Sequence, residues 1–264
     1  MSYLSANGIT AGYGRQNVIE NVSFQLEAGT LMGIVGANGS GKTTLLKALC
    51  GILPHHGTCT LNHTVLEELP ARELAKLVSY IPQRSGIAID IPVLDVVLMG
   101  FNPRLGLLER PTKEMKDEAK QALIQVGLGG KEELNYLHLS EGQKQLCILA
   151  RTLVSGSKLL LLDEPESALD FRFRHQILGL LRSWTADQTG SAIVTLHDPT
   201  LALNFCDKLL LLSDGGVLDI LEPKADSLDK VEEMLRVVYG NLSLQRCHNR
   251  KGEAQIVMLR EDQV

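Results

Sequence analysis

Gly36-Ala37-Asn38-Gly39-Ser40-Gly41-Lys42-Thr43 is the stretch that decides the fold. It fits the phosphate-binding pattern G-x-x-x-x-G-K-[ST] at every required position. An apolar run, Leu31 to Val35, precedes it and reads as a buried strand, and Thr44-Leu45-Leu46-Lys47-Ala48-Leu49 follows it and reads as a helix with an apolar face. Strand, loop and helix in that order suit the chemistry. Consecutive backbone N–H groups must curl around a phosphate, and side chains at Gly36, Gly39 and Gly41 would obstruct them. The helix starting near Lys42 aims its positive end at the β-phosphate, Lys42 adds a full charge across β and γ, and the Thr43 hydroxyl is placed to ligate Mg²⁺. The competing reading, a glycine-rich turn that binds nothing, does not account for the strand and helix on either side.

Working outward, the whole chain has 264 residues, of which 44% are hydrophobic, and a mean hydropathy of +0.05, enough to bury a proper core. The longest purely aliphatic runs, Leu159 to Leu162 and Leu209 to Leu212, fall far short of the ~20 residues that cross a bilayer. The N-terminus has no charged-then-apolar signal pattern, so no export is expected. Five cysteines (50, 59, 147, 206, 247) lack framework spacing and read as reduced thiols of a cytosolic protein. A net charge of −5 gives no electrostatic footprint for nucleic acid. His55, His56 and Cys59 sit around Pro54 and Gly57 in what reads as a turn, with no fourth ligand at useful spacing, so no metal site is assigned there. The N-x-[ST] triplets at Asn21, Asn38, Asn62 and Asn241 read as chance, since one lies inside the phosphate loop.

Two further constellations carry chemistry. Leu159 to Leu162 reads as a buried strand that ends in Asp163-Glu164-Pro165, and two adjacent carboxylates there need a cation or a reaction. Beside the phosphate loop, Asp163 could hold Mg²⁺ through water while Glu164 polarises a water for in-line attack on the γ-phosphate. An acidic strand end that merely caps the next helix is the alternative. Leu139-Ser140-Glu141-Gly142-Gln143 opens a helix whose apolar positions Leu146, Leu149, Ala150 and Leu153 keep helical spacing. A hydroxyl and free N–H groups at that helix start form a second anion site, or a plain helix cap.

Taken together and in this order, the motifs resemble those of the ATP-binding subunit of an ABC transporter, from about residue 3 to about 225. The resemblance makes Gly36 to Thr43 the Walker A loop, with Gly36, Asn38, Gly39, Ser40, Gly41, Lys42, Thr43 and Thr44 around the nucleotide. It makes Leu159 to Glu164 the Walker B strand and LSEGQ the signature, with Ser140, Gly142 and Gln143 as nucleotide contacts. By position, Tyr13 in Ala11-Gly12-Tyr13-Gly14 would stack on adenine, and Gln83 in Tyr80-Ile81-Pro82-Gln83 would touch Mg²⁺ and the attacking water. Ser167-Ala168-Leu169-Asp170 is similar to the D-loop, and His197 in Thr195-Leu196-His197-Asp198 to the switch histidine that contacts the γ-phosphate. The implied cofactors are ATP and Mg²⁺, with Thr43, Gln83 and Asp163 at the metal and Glu164, His197 and Gln83 in catalysis. Glu141 departs from the commonest signature. A carboxylate ~6 Å from the γ-phosphate would face a repulsion of roughly 3 kcal/mol per unit charge at an effective dielectric of ~20. Glu141 is therefore expected to point away from the nucleotide.

The expected fold is α/β, a P-loop ATPase core with a mainly parallel sheet, a small antiparallel β subdomain and an inserted α-helical subdomain. The strands of the core are Leu31 to Val35, Leu159 to Leu162, Ala192 to Leu196 and Lys208 to Leu212, and those of the antiparallel sheet Tyr3 to Ala11 and Val18 to Leu26. The division reads as core at 1–86 and 156–225, a helical part at 87–155 with Met115, Ala119, Ala122, Leu123 and Val126 on one face, and an extension at 226–264. In the extension, Leu228 to Tyr239 reads as an amphipathic helix, followed by two short strands around Asn249 to Gly252. With one loop and one signature per chain, the resemblance implies a head-to-tail homodimer and two transmembrane permease subunits, contacted through the groove at Gln83 to Pro92. It also implies, indirectly, a substrate-binding protein, a place on the cytoplasmic face of the cell membrane and no nucleic acid. The stretches Val96 to Pro103, Gly106 to Pro111, His197 to Leu203 and Val238-Tyr239-Gly240 look like the importers of ferric siderophores, haem and cobalamin. Another ABC importer or exporter, or a soluble ABC ATPase unconnected to transport, is the alternative.

Overall fold

The computed structural model describes residues 3–83, 86–106, 108–167, 169–187 and 190–261. From the N-terminus run β1 (Leu4–Tyr13), β2 (Gln16–Leu26), β3 (Leu31–Gly36), α1 (Lys42–Leu49), β4 (His55–Leu61), β5 (Thr64–Val65), α2 (Ala71–Leu77) and β6 (Val78–Ile81). Three helices follow, α3 (Val93–Leu98), α4 (Lys113–Gln125) and α5 (Glu141–Leu153). The chain then alternates through β7 (Leu159–Asp163), α6 (Phe171–Ala186), β8 (Ser191–Thr195), α7 (Pro199–Phe205), β9 (Lys208–Ser213) and β10 (Gly216–Leu221). It ends in α8 (Leu228–Tyr239) and the hairpin β11 (Leu242–His248) and β12 (Ala254–Arg260).

The central sheet has the order β10-β9-β3-β8-β7-β6, parallel except for the antiparallel edge strand β10. Every residue of β3, β7 and β8 is buried, which is why their sequences are apolar without alternation. Their side chains still divide by parity between two cores. Leu31, Val35, Leu160 and Leu162 face a cluster built on α3 to α8, while Met32, Ile34, Leu159 and Leu161 face α1 and the N-terminal sheet. This layering puts the C-terminal ends of β3, β7 and β8 along one edge, where ligands of open α/β sheets bind.

The N-terminal sheet is antiparallel with the order β2-β1-β4-β5. His55, His56 and Cys59, expected in a turn, lie instead on β4. The reason is Gly57, whose φ of 93° accompanies a register shift between β1 and β4 and lets the carbonyls of Asn7 and Gly8 come within 2.6 Å of where a Cβ would stand. His55 there bonds Glu67 at 2.9 Å.

Helices α3, α4 and α5 pack on one another beside the sheet, with Ala119, Ala122, Leu123 and Val126 buried and Met115 against them. Gly100 permits the approach, since a Cβ there would stand 2.0 Å from the Arg151 carbonyl. The C-terminal hairpin is clamped to α7 by one amide: Asn204 donates to the Ile256 carbonyl at 2.8 Å and accepts from its N–H at 2.9 Å. All five cysteines are free, and burial pushes the Cys59 and Cys147 thiols up to about 12, so neither is a nucleophile at neutral pH. Among the described residues, no helix is long and apolar enough to cross a membrane.

Candidate active site

The loop from Gly36 to Gly41 leaves the end of β3 and turns into α1. Its three glycines are required for different reasons. At Gly36 a Cβ would stand 2.4 Å from the Leu212 carbonyl and 2.6 Å from Ser40 Oγ, so the close approach of β9 demands glycine. Gly39 faces open space but has φ 83°, and Gly41 combines φ 99° with Ile19 2.3 Å from the Cβ position. Lys42 is only 5% exposed, and its Nζ donates to the carbonyls of Gly36 at 2.8 Å and Ala37 at 3.0 Å. Burial lowers its pKa, against the pull of the carboxylates of Glu164, Asp163 and Glu166. Asn38 and Gly39 are exposed at the tip, and Thr44 is buried on the helix.

A second set of groups comes from the ends of β7 and β8. Thr43 Oγ1 donates to Asp163 Oδ1 at 2.9 Å, Thr195 Oγ1 donates to the same oxygen at 3.0 Å, and the Tyr80 hydroxyl donates to Oδ2 at 3.1 Å. Thr195 Oγ1 also accepts the Glu164 N–H at 2.8 Å. Glu164 itself has φ 47°, a left-handed backbone that is uncommon for a side chain of its size and that turns its carboxylate out of the strand. Gln83 Nε2 donates to Glu164 Oε2 at 2.7 Å, and His197 Nε2 lies 2.7 Å from that same oxygen. Thr43, Gln83, the adjacent pair Asp163 and Glu164, and His197, drawn from four separate stretches of sequence, therefore belong to one neighbourhood of hydrogen bonds.

The segment Ser140 to Gln143 lies outside this network and closes on itself. Ser140 Oγ accepts from the Gln143 N–H at 3.3 Å while Gln143 Oε1 accepts from the Ser140 N–H at 3.1 Å, a reciprocal cap on α5. Because the serine oxygen accepts, its O–H proton remains available to an anion. Gly142 packs under Phe173 of α6, whose ring would be 2.5 Å from a Cβ. Glu141 is turned to solvent, its side chain 72% exposed and paired with Lys144 at 2.8 Å. Asp170 caps α6 by accepting the Phe173 N–H at 3.0 Å, and Tyr13 stands 52% exposed at the end of β1 beside a cavity of about 440 Å³. Ala168 of the same Ser167 to Asp170 stretch falls outside the described residues.

Four residues that hold this site together were not singled out from sequence. Thr195 and Tyr80 fix Asp163, and they stand two and three residues before His197 and Gln83 in the sequence. Gln145 donates to the Gln83 carbonyl at 3.0 Å and so ties α5 to the network. Glu166 is 2% exposed, and its Oε1 accepts the His197 N–H at 2.8 Å. Burial raises its carboxyl above the ordinary value, partly opposed by that backbone bond. A third acidic residue in Asp163-Glu164-Pro165-Glu166 was the available signal.

A profile of the ABC transporter family matches residues 19–167. The ABC transporter ATP-binding protein YvrA of Bacillus subtilis is 30% identical over 97% of this chain, which spans 58% of that relative's length. The hemin import ATP-binding protein HmuV of Bordetella bronchiseptica is 36% identical over 90% of this chain and 92% of its own. Among solved structures, one assigned to a metal-chelate type ABC transporter in an inward-facing conformation superposes with a TM-score of 0.83, 27% identity and coverage of 99% of both chains.

Proposed function

The chain belongs to the ABC transporter family of ATP-binding proteins, and on that premise we propose that it powers an importer of ferric siderophore or a related iron chelate, haem or cobalamin. It binds and hydrolyses ATP. The observation that carries the assignment of the site is the pair of 2.7 Å contacts that Gln83 and His197 both make to Glu164 Oε2, next to the Thr43–Asp163 bond. In this reading Glu164 is the base that takes the proton of the attacking water, and His197 leaves it to contact the γ-phosphate once nucleotide arrives. Lys42 exchanges the loop carbonyls for the β- and γ-phosphates. The oxygens of Thr43, Gln83 and Asp163 suit a hard cation, and Mg²⁺ bound there would neutralise charge developing on the phosphates. Ser140, Gly142 and Gln143 would contact the nucleotide of a second copy, with Tyr13 stacked on adenine and Asp170 at the pair's interface.

We assign the work to three parts: the ATPase core at 1–86 and 156–225, the signature-bearing helices at 87–155, and the extension at 226–264. A head-to-tail homodimer would bury two ATP molecules and close on them. Two permease subunits would receive the motion at the groove from Gln83 to Pro92, of which Arg84 and Ser85 fall outside the described residues, and a substrate-binding protein would deliver the cargo. The chain would then sit on the cytoplasmic face of the membrane. The hemin import and metal-chelate likenesses support the importer class, and so do Val96 to Pro103 and His197 to Leu203. The test is recovery of tagged protein from its native membrane in mild detergent, with co-purifying chains identified by mass spectrometry. A many-spanning permease and a binding protein are expected; an exporter-type partner, or soluble partners only, would overturn the importer reading.

A further inference from the structure

Among the described residues three buried side-chain oxygens lack a hydrogen-bond partner: Ser40 Oγ, Glu166 Oε2 and the Tyr239 hydroxyl. The first two belong to the nucleotide site. The third is delivered by the C-terminal extension. Tyr239 is the last residue of α8, a helix opened by the Ser227 cap and closed by Gly240, whose φ of 84° and ψ of −156° suit glycine alone. The end of that helix is fixed. Arg236 Nε donates to the Leu242 carbonyl at 2.7 Å, and Glu232 accepts the Leu244 N–H at 2.7 Å, so α8 and β11 are joined at two points. The Tyr239 ring packs against the core. Its oxygen lies beside the Gly36 N–H, where the phosphate loop begins, without a hydrogen bond formed, and near Asp198, the cap of α7. Burial raises the phenol above its ordinary value, so the group is a neutral hydroxyl that can accept and donate.

A sealed hydroxyl with no partner destabilises the state that contains it, and a state that supplies the partner gains by the same measure. We propose that Tyr239 is a positioning residue of the nucleotide site: as the loop tightens on ATP, the hydroxyl hydrogen-bonds the Gly36 backbone, so that the C-terminal extension stabilises the loaded loop. This rests on the ATP-binding reading of the loop. By linkage, nucleotide must then stabilise the extension in return.

The experiment uses the full chain in a Glu164→Gln background, so that ATP persists, with Tyr239→Phe as the variant that keeps the ring and removes only the oxygen. Without nucleotide, Tyr239→Phe is expected to melt no lower than its parent. With ATP and Mg²⁺ it should bind about three- to tenfold more weakly, the worth of one hydrogen bond, and show a smaller ligand-induced rise in Tm. With Glu164 intact, the same substitution should raise KM by that factor and leave kcat within about twofold. Equal ATP affinity in variant and parent would overturn the proposal, as would a lower nucleotide-free Tm with an unchanged ATP shift, which is the signature of a packing residue. A parent that fails to bind ATP would overturn the nucleotide reading along with it.

Discussion

The phosphate loop and the start of α5 are built on opposite plans. Around the phosphate loop, Lys42 and Asp163 are 5% and 4% exposed; the loop's own carbonyls engage Lys42, and the hydroxyls of Thr43 and Thr195 engage Asp163. At the start of α5, Glu141 is turned to water, and the side chains of Ser140 and Gln143 are bonded to each other's backbone. The first region is organised by its own fold before any ligand comes. The second presents a finished helix start, which the proposed reading assigns to the site of a second copy.

Substitutions that act on one region and spare the other would sharpen that contrast. The largest effect is expected at Glu164→Gln, which should lower turnover by about 10²–10⁴-fold, measured as phosphate release, while ATP binding persists. Turnover that survives would remove Glu164 from its role. Next, Gly142→Ala drives a methyl into Phe173 and should shift α5 enough to cost about 10- to 100-fold in turnover, with ATP binding by the isolated chain unchanged. If binding fell in step with turnover, the two regions would serve one site in one chain and the contrast would break.

A smaller effect is expected at Glu166, and it depends on pH. Its folded-state carboxyl is raised above the ordinary value of 4.5, so stability is fully present below that value and falls as pH rises toward the folded pKa, because the unfolded chain ionises first. Glu166→Gln removes that slope. In urea melts at about pH 5 and about pH 8, the variant should gain on its parent as pH rises; a constant difference would mean that Glu166 ionises normally. The smallest effect belongs to the exposed pair of Glu141 and Lys144. Glu141→Ala should change the free energy of unfolding by less than about 0.5 kcal/mol, and a larger loss in thermal melts would show that this surface is less independent than its exposure implies.

Much of this was legible in the sequence because the central strands are buried on both faces. Leu31 to Val35 and Leu159 to Leu162 could be read directly as strands, and the loop and the two carboxylates follow from where those strands end. What escaped was carried by partners rather than by pattern. β4 was missed because its bend at Gly57 depends on the backbone of Asn7 and Gly8 opposite. Strands β6 and β10 are short and carry polar residues, and only pairing in the sheet defines them. The roles of Thr195, Tyr80 and Gln145 are likewise invisible along the chain, since each consists of one bond to a residue distant in sequence.

The two carbonyl contacts of Lys42 also bear on selectivity. Its ammonium already has oxygen acceptors from the loop itself, so an incoming anion has to outcompete them rather than fill a bare positive hole. A neutral polar group offers little more than Gly36 and Ala37 already supply, whereas a polyphosphate brings several oxygens and a large charge at once. The lysine's resting partners thus act as internal competitors that any incoming ligand has to displace.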